Sequence, residues 1–207
     1  MTAQHTRAYR GGDIVAEDFP LQAVSDYLAQ DDLVVWVDFC GPTAADLASL
    51  PDELGLHELA VEDALGRHQR PKLDHYPSHL FFTCHAVSVA ADASGLESSE
   101  IGVFVNTRWI VTVRKDEAFP MDKVLARWGR ASDLLGYGTP FLLYGIIDTV
   151  VDEYFDAVQA FDDFYDEISA GIFNEHPIDP QQQQHWFQMR QALVQFHRLA
   201  VPMREAI

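Results

Sequence analysis

The chain has 207 residues, a length that suits one domain or one domain with an extension. It carries 14 Lys and Arg against 32 Asp and Glu, a formal net charge of -18, yet 48% of its residues are hydrophobic and 12% aromatic. That apolar share can build a core, so the charge does not imply wholesale disorder; it disfavours nucleic-acid binding through a basic surface and favours cationic partners, metal ions or basic protein surfaces.

Two cysteines, Cys40 and Cys84, cannot make a disulfide framework, and no Cys-x-x-Cys occurs, so a reducing compartment is the default. The first thirty residues are polar and punctuated by Gly11-Gly12, unlike a signal peptide. The longest apolar stretch, Phe141 to Ile147, stops at Asp148, far short of the ~20 residues a membrane span requires. As it stands the sequence reads as soluble.

Residues 1–30 are weakly patterned and are expected to be partly mobile. Asp31 to Asp38 reads as a short buried strand, rich in β-branched and aromatic residues. Gly41-Pro42-Thr43 breaks it. Thr43 is a plausible N-cap for a helix through about Leu54, with Gly55 as its stop. A second short helix is expected from His57 to Leu65, ending at Gly66. After the polar connection Gly66 to Lys72, three strands are expected at His79–Val89, Glu97–Asn106 and Trp109–Arg114. The turns between them, Ala91 to Gly95 and Asn106 to Arg108, are short, so neighbours should pair antiparallel. Phe119 to about Arg130 is an amphipathic helix.

The character then changes. Thr139 can cap a helix with Pro140 at its first position. From there to about Phe173 the pattern is one long helix, interrupted at Asn174–Pro180 and followed by another helical stretch from Gln181. The end, Arg204 to Ile207, carries no Gly, Asn or Pro, which suggests a chain cut short. The organisation expected is therefore the opening segment 1–30, an α/β unit over 31–135, and a long acidic helical hairpin of the same domain over 136–207.

At about 100° per residue, Ile147, Val150, Val151, Tyr154, Val158, Phe161, Tyr165, Ile168 and Ile172 share one helix face. Asp148, Asp152, Asp156, Asp163 and Asp166 lie roughly opposite. The segment Ala131 to Met189 holds eleven acidic residues and no Lys or Arg. Like charges four apart, such as Asp148/Asp152, repel by tenths of a kcal/mol each. Bulk counterions, divalent cations or a basic partner surface would compensate. Hard oxygen ligands suit Mg²⁺ and Ca²⁺, and Mg²⁺ usually touches only one or two carboxylates.

In the helix from His57, Leu56, Leu59, Ala60 and Ala64 make an apolar stripe, and Asp63 falls inside it beside Glu62. An acid there should be paired, metal-bound or at a subunit interface, and the plain alternative is an ion pair with Arg67 or Arg70. Nine histidines invite zinc, but no His-x-x-x-His or Glu-x-x-His pattern occurs on a helix. His79 and His85 share strand parity yet stand too far apart for simple chelation. A nucleophile elbow, a Gly-rich phosphate loop and a Cys/His signature are all missing from the sequence, so no enzyme class is indicated.

The run Glu53-Leu-Gly-Leu-His-Glu-Leu-Ala-Val-Glu-Asp-Ala-Leu-Gly-Arg-His-Gln-Arg-Pro-Lys-Leu73, followed by Tyr76 and Leu80-Phe-Phe82, resembles the cytoplasmic domain of CorA-type magnesium/cobalt transporters. Phe104-Val-Asn-Thr-Arg-Trp-Ile-Val-Thr-Val113 looks like the family's strand pair. Phe141-Leu-Leu-Tyr-Gly-Ile-Ile-Asp-Thr-Val-Val-Asp-Glu-Tyr-Phe155 looks like its first long helix, and Pro202-Met-Arg-Glu205 like the helix that follows. The resemblance covers residue 31 to the end.

It implies an α/β (α+β) domain: an α-β-α sandwich with a mixed, largely antiparallel sheet, then long helices leading toward a stalk. It implies a homopentameric transporter of the cell (inner) membrane, with this part on the cytoplasmic side and the membrane helices and pore signature beyond it. It implies that divalent ions, Mg²⁺ or Co²⁺, bind between neighbouring subunits and hold the pore closed. Asp63 matches one interfacial ligand, and Glu62 and Asp148 match further acidic positions; Asp152 extends the set from the helix pattern. The usual partner aspartate lies beyond Ile207, so each site is expected to be incomplete here and metal binding weak. Glu58 stands where a Pro is common, and His79 where an aromatic is common. A zinc-transporting relative of the ZntB kind, and a free-standing acidic module that docks a basic protein, are the alternatives.

Overall fold

In this computed structural model, which describes residues 3–90, 95–131, 133–172 and 180–207, the opening segment is part of the sheet. Ala3–Arg10 (β1) and Asp13–Glu17 (β2) form an antiparallel hairpin. Gly11 and Gly12 turn it at φ 58° and 108°, a conformation that glycine adopts without a Cβ clash. β1 then pairs along its whole length with Leu33–Cys40 (β3). The weakly patterned opening thus holds two strands of the sheet. Its alternation is weak because Ala8 and Tyr9 are adjacent and both buried, one on each face of the sheet.

A 3₁₀ turn at Leu21–Ala23 leads into Val24–Leu28 (α1). After β3, the single helix expected over Thr43 to Leu54 is two, Ala44–Leu47 (α2) and Leu50–Leu54 (α3). Pro51 explains the division: it suits the first turn of α3 but cannot continue α2. Glu58–Leu65 (α4) follows as expected. Lys72–His75 (β4) is an edge strand inside what had read as a polar connection and its sequel.

Leu80–Val89 (β5), Leu96–Val105 (β6) and Trp109–Arg114 (β7) form the expected antiparallel meander. Of the turn expected at Ala91 to Gly95, all but Gly95 lies outside the described residues, but the register Val89↔Leu96 joins its two strands. The sheet has seven strands in the order β2-β1-β3-β7-β6-β5-β4, with β3 and β7 parallel and every other pair antiparallel. Met121–Arg130 (α5), Thr139–Ile172 (α6) and Pro180–Ala206 (α7) complete the fold. Of the interruption expected at Asn174–Pro180, all but Pro180 lies outside the described residues, and Pro180 opens α7.

Strand alternation sorts the core into two layers. Val35, Val37, Phe39, Phe81, Phe104 and Val111 meet Leu47, Leu50, Ala60 and Ala64 on one face. Trp36, Phe82, Val103 and Ile110 meet Trp128, Leu142, Ile146 and Val150 on the other. The α-β-α layering is therefore set by period-2 side chains under helices whose apolar stripes face inward. A smaller cluster, Ala157 and Phe161 against Met189 and Ala192, joins α6 to α7 and to the β5–β6 end. Val158, assigned by the wheel to the inner face of α6, is exposed, and Ala157 is buried instead. Among the described residues no helix is long and apolar enough to cross a membrane.

α5 and α6 pack together where Gly145 faces Trp128. A Cβ on Gly145 would lie 2.3 Å from Trp128 Nε1 and 2.8 Å from Cδ1, and Trp128 is fully buried. Gly145→Ala is therefore expected to destabilise the fold by about 2–3 kcal/mol through overpacking, read as a lower urea midpoint at unchanged slope.

Candidate functional site

α4 carries the Glu62-Asp63 pair. At its start, His57 Nδ1 accepts from the Leu59 amide at 3.2 Å. At its end, the Gly66 N–H returns to Glu62 O at 2.8 Å, and the Lys115 ammonium donates to the Ala64 and Gly66 carbonyls. A cation on those carbonyls satisfies orphan acceptors and suits the helix dipole. The next turn is pinned by Glu100, whose Oε2 accepts from the Gln69 amide at 3.1 Å. Lys115 also approaches Glu100 Oε1 at 3.6 Å.

The helix docks through Ala60, Val61 and Ala64, while Leu59 is 59% exposed. The buried stripe is thus rotated from the one the wheel gives. Asp63 sits on its rim, partly buried, and Glu62 is exposed. Asp63 does not pair with Arg67 or Arg70. Its Oδ2 accepts from Lys72 Nζ at 2.5 Å, and the same ammonium reaches Asp74 Oδ2 at 2.7 Å. β4 makes this possible: Lys72 and Asp74 are two apart on a strand and so share a face. Burial pulls the Lys72 pKa down, but the hydrogen bonds and charges of Asp63 and Asp74 outweigh it and leave the ammonium more firmly protonated than usual.

Asp148 and Asp152 also find a counter-ion, and it comes from another helix. Arg127 of α5 places Nη1 2.9 Å from Asp148 Oδ2 and Nη2 2.7 Å from Asp152 Oδ2. Nη1 also donates to Thr149 Oγ1 at 3.0 Å. One guanidinium therefore answers the i, i+4 repulsion expected along α6.

The four acidic candidates do not form one centre. α4 lies on one face of the sheet, and α6 on the other. Among the described residues no three of His, Cys, Asp and Glu converge on a point that could hold a metal.

Two further titratable groups sit inside the fold: His85, weighed in the sequence only as a zinc ligand, and the partly buried Glu153, which the sequence did not single out. His85 pairs in register with Glu100, its Nε2 3.9 Å from Glu100 Oε2 and its Nδ1 without a hydrogen-bond partner among the described residues. Burial pushes the His85 pKa down to about 4, so it is neutral. Glu153 of α6 turns inward beneath β5, beside a pocket of about 240 Å³ lined also by Ser99, Asp116 and Glu97. Its Oε2 is buried without a hydrogen-bond partner among the described residues, and burial pushes its pKa up to about 7, against the pull of Lys123 and the Val87 amide. Alternation places His85 on the sheet, but only the register shows that it faces Glu100, and only the packing of α6 under β5 shows where Glu153 lies. His79 keeps an aromatic's place: its ring stacks on Tyr76 at 5.0 Å and lies 6.0 Å from Trp109.

Comparison with known proteins matches these features to one family. The family described as CorA-like Mg²⁺ transporter protein matches residues 31–207. YfjQ of Bacillus subtilis, a candidate metal ion transporter by name, is 34% identical over 172 residues, 83% of this chain and 52% of that protein. The cobalt/magnesium transport protein CorA of Thermotoga maritima is 24% identical over 174 residues, 83% of this chain and 49% of that protein. The chain thus spans about half the length of the curated relatives it matches. The soluble domain of CorA from Methanocaldococcus jannaschii superposes with a TM-score of 0.68 at 14% identity, covering 99% of this chain and 77% of that one, which shows the shared fold. With the motif, the sheet and the family match all in agreement, the chain belongs to the CorA-like Mg²⁺ transporter family.

Proposed function

We propose that the chain is the divalent-cation-sensing part of a CorA-type Mg²⁺/Co²⁺ transporter of the cell membrane, facing the cytoplasm in a homopentamer. Metal held between neighbouring copies at Asp63, with Glu62 beside it, favours the closed pore. The observation that carries this is the position of Asp63: a carboxylate on the rim of a firmly anchored helix, partly open to solvent, whose one ion pair among the described residues is to a side-chain ammonium, with Gln69 Nε2 at 3.5 Å from its other oxygen. The name of the Thermotoga relative supports Mg²⁺ and Co²⁺ as the ions. The donors at this place are carboxylate oxygens, which suit Mg²⁺, whereas zinc sites favour His and Cys. Asp148 and Asp152 are secondary in this reading, because a metal there must displace Arg127. The role is that of a transporter domain, not an enzyme.

The physical basis is charge. Facing carboxylates on adjacent copies repel, and an ion between them removes the repulsion. Mg²⁺ then shifts the population toward the symmetric closed assembly by its higher affinity for that state. In the whole transporter, Asp63→Ala is expected to keep the pore conducting when internal Mg²⁺ is millimolar. Mg²⁺ flux into vesicles preloaded with the ion measures this. Normal shut-off in the mutant would remove Asp63 from the sensor.

A further inference from the structure

We propose that Lys72 is a tethered competitor for the divalent ion at Asp63 and that it sets the concentration at which the sensor responds. This inference rests on the reading of Asp63 given above.

Lys72 is held on three sides. Its ammonium bridges Asp63 Oδ2 at 2.5 Å and Asp74 Oδ2 at 2.7 Å, and it lies 5.9 Å from the centroid of the Phe81 ring. An ammonium has three donors, so it can release one carboxylate and keep the other. Asp74 is therefore the resting place for Lys72 when an ion takes Asp63. The exchange leaves no charge buried alone: the ion neutralises Asp63, and the ammonium stays on Asp74 and the ring. A divalent cation binds only the fraction of molecules in which Asp63 is free, so its apparent affinity falls by that fraction.

Arg67 and Arg70 carry the same charge nearby but are exposed, and Asp63 takes its ion pair from Lys72 alone among the described residues. Competition through a specific tether and a general electrostatic background thus make different predictions. Asp74→Asn adds a sign test: without Asp74, Lys72 has only Asp63 to hold and should compete more strongly.

The experiment is a Mg²⁺ titration of this chain at constant ionic strength, followed by amide chemical shifts of residues 60–66. It is run on wild type, Asp63→Asn, Lys72→Gln, Asp74→Asn and Arg70→Gln, each checked for a cooperative unfolding transition. The expected result is saturable shifts in wild type that vanish in Asp63→Asn. Lys72→Gln should bind about tenfold more tightly and Asp74→Asn about threefold more weakly, with Arg70→Gln within about twofold of wild type. Binding that needs Asp63 but is unchanged or weakened in Lys72→Gln overturns the inference and leaves the sensor standing. Equal tightening in Lys72→Gln and Arg70→Gln also overturns it, because the effect is then general charge. Shifts that ignore Asp63→Asn sink the sensor reading and this inference together. No saturable shift in any variant, Lys72→Gln included, overturns this inference, because freeing Asp63 then exposes no ion site in this chain; the sensor reading is decided by flux in the whole transporter.

Discussion

Asp38→Ala is expected to destabilise the fold by about 3–5 kcal/mol, the scale on which a buried ion pair fails when one partner is removed. Asp38 on β3 is fully buried, and Arg114 on β7 is 6% exposed. Arg114 Nη2 lies 2.6 Å from Asp38 Oδ2, and Nε lies 3.1 and 3.2 Å from the two oxygens. Thr112 Oγ1 donates to Asp38 Oδ1 at 2.5 Å, and Trp36 Nε1 donates to Thr112 at 3.2 Å. Burial alone would lower the Arg114 pKa; the hydrogen bonds and charge of Asp38 outweigh it and raise it. Alanine would strand a guanidinium that water cannot reach. The location magnifies the loss, because β3·β7 is the parallel seam where the β2-β1-β3 hairpin unit meets the β7-β6-β5-β4 meander. The double change Asp38→Leu with Arg114→Met should recover most of it, since apolar groups of similar volume often replace such a pair without penalty. Urea unfolding monitored at the tryptophans measures all three proteins. A loss below about 1 kcal/mol in the single mutant would show that the seam hydrates locally.

The same seam shows what was legible in the sequence. β3, β5 and β7 are largely apolar runs bounded by turn residues, β6 is apolar over its second half, Ile101 to Val105, and the two long helices carry a sustained 3.6 period. Short connections fixed the antiparallel meander. The hairpin at the start was not legible, because β1 is covered on both faces and β2 is an exposed edge, so neither alternates cleanly. β4 was hidden by its charged residues, which suit an edge strand. At the candidate site, the sequence singled out Asp63 as an acid on a docking helix but not its partner. Arg67 and Arg70 are nearer along the chain, yet the loop pinned by Glu100 turns them outward and brings Lys72 back to face α4. Arg127 was equally out of reach: it lies 25 residues before Asp152, and only the packing of α5 on α6 joins them. Local periodicity places a charge on a face, whereas its neutralisation depends on what the fold brings opposite.

Glu153→Gln is expected to stabilise the protein at pH 8 by on the order of 2–3 kcal/mol and to have little effect near pH 4, which for a chain of this size raises Tm by roughly 5–10 °C. The acid's pKa rises from its usual 4.5 to about 7 in the fold because of burial. The sign follows. Between those values the folded state holds a proton that the unfolded state has released, so stability falls as pH rises through the window. Above it, Glu153 is charged beneath β5, faced by the Val87 amide and Lys123 but also by Asp156, Cys84 and Tyr154. Glutamine keeps an acceptor for the Val87 amide and carries no charge. His85 works in the opposite sense. Its pKa is lowered from 6.5 to about 4, so its contribution is lost as pH falls through that range. In wild type the two slopes oppose each other between about 4.5 and 6.5, because Glu153 binds in the fold the proton that His85 gives up. Thermal melts of wild type and Glu153→Gln from pH 4 to 8 should therefore differ in shape. The mutant curve should climb steadily to pH 6.5, and the gap between the two should keep opening to about pH 7. A constant gap across the range would mean that Glu153 stays ionised in the fold, reaching water through the pocket beside Ser99 and Asp116.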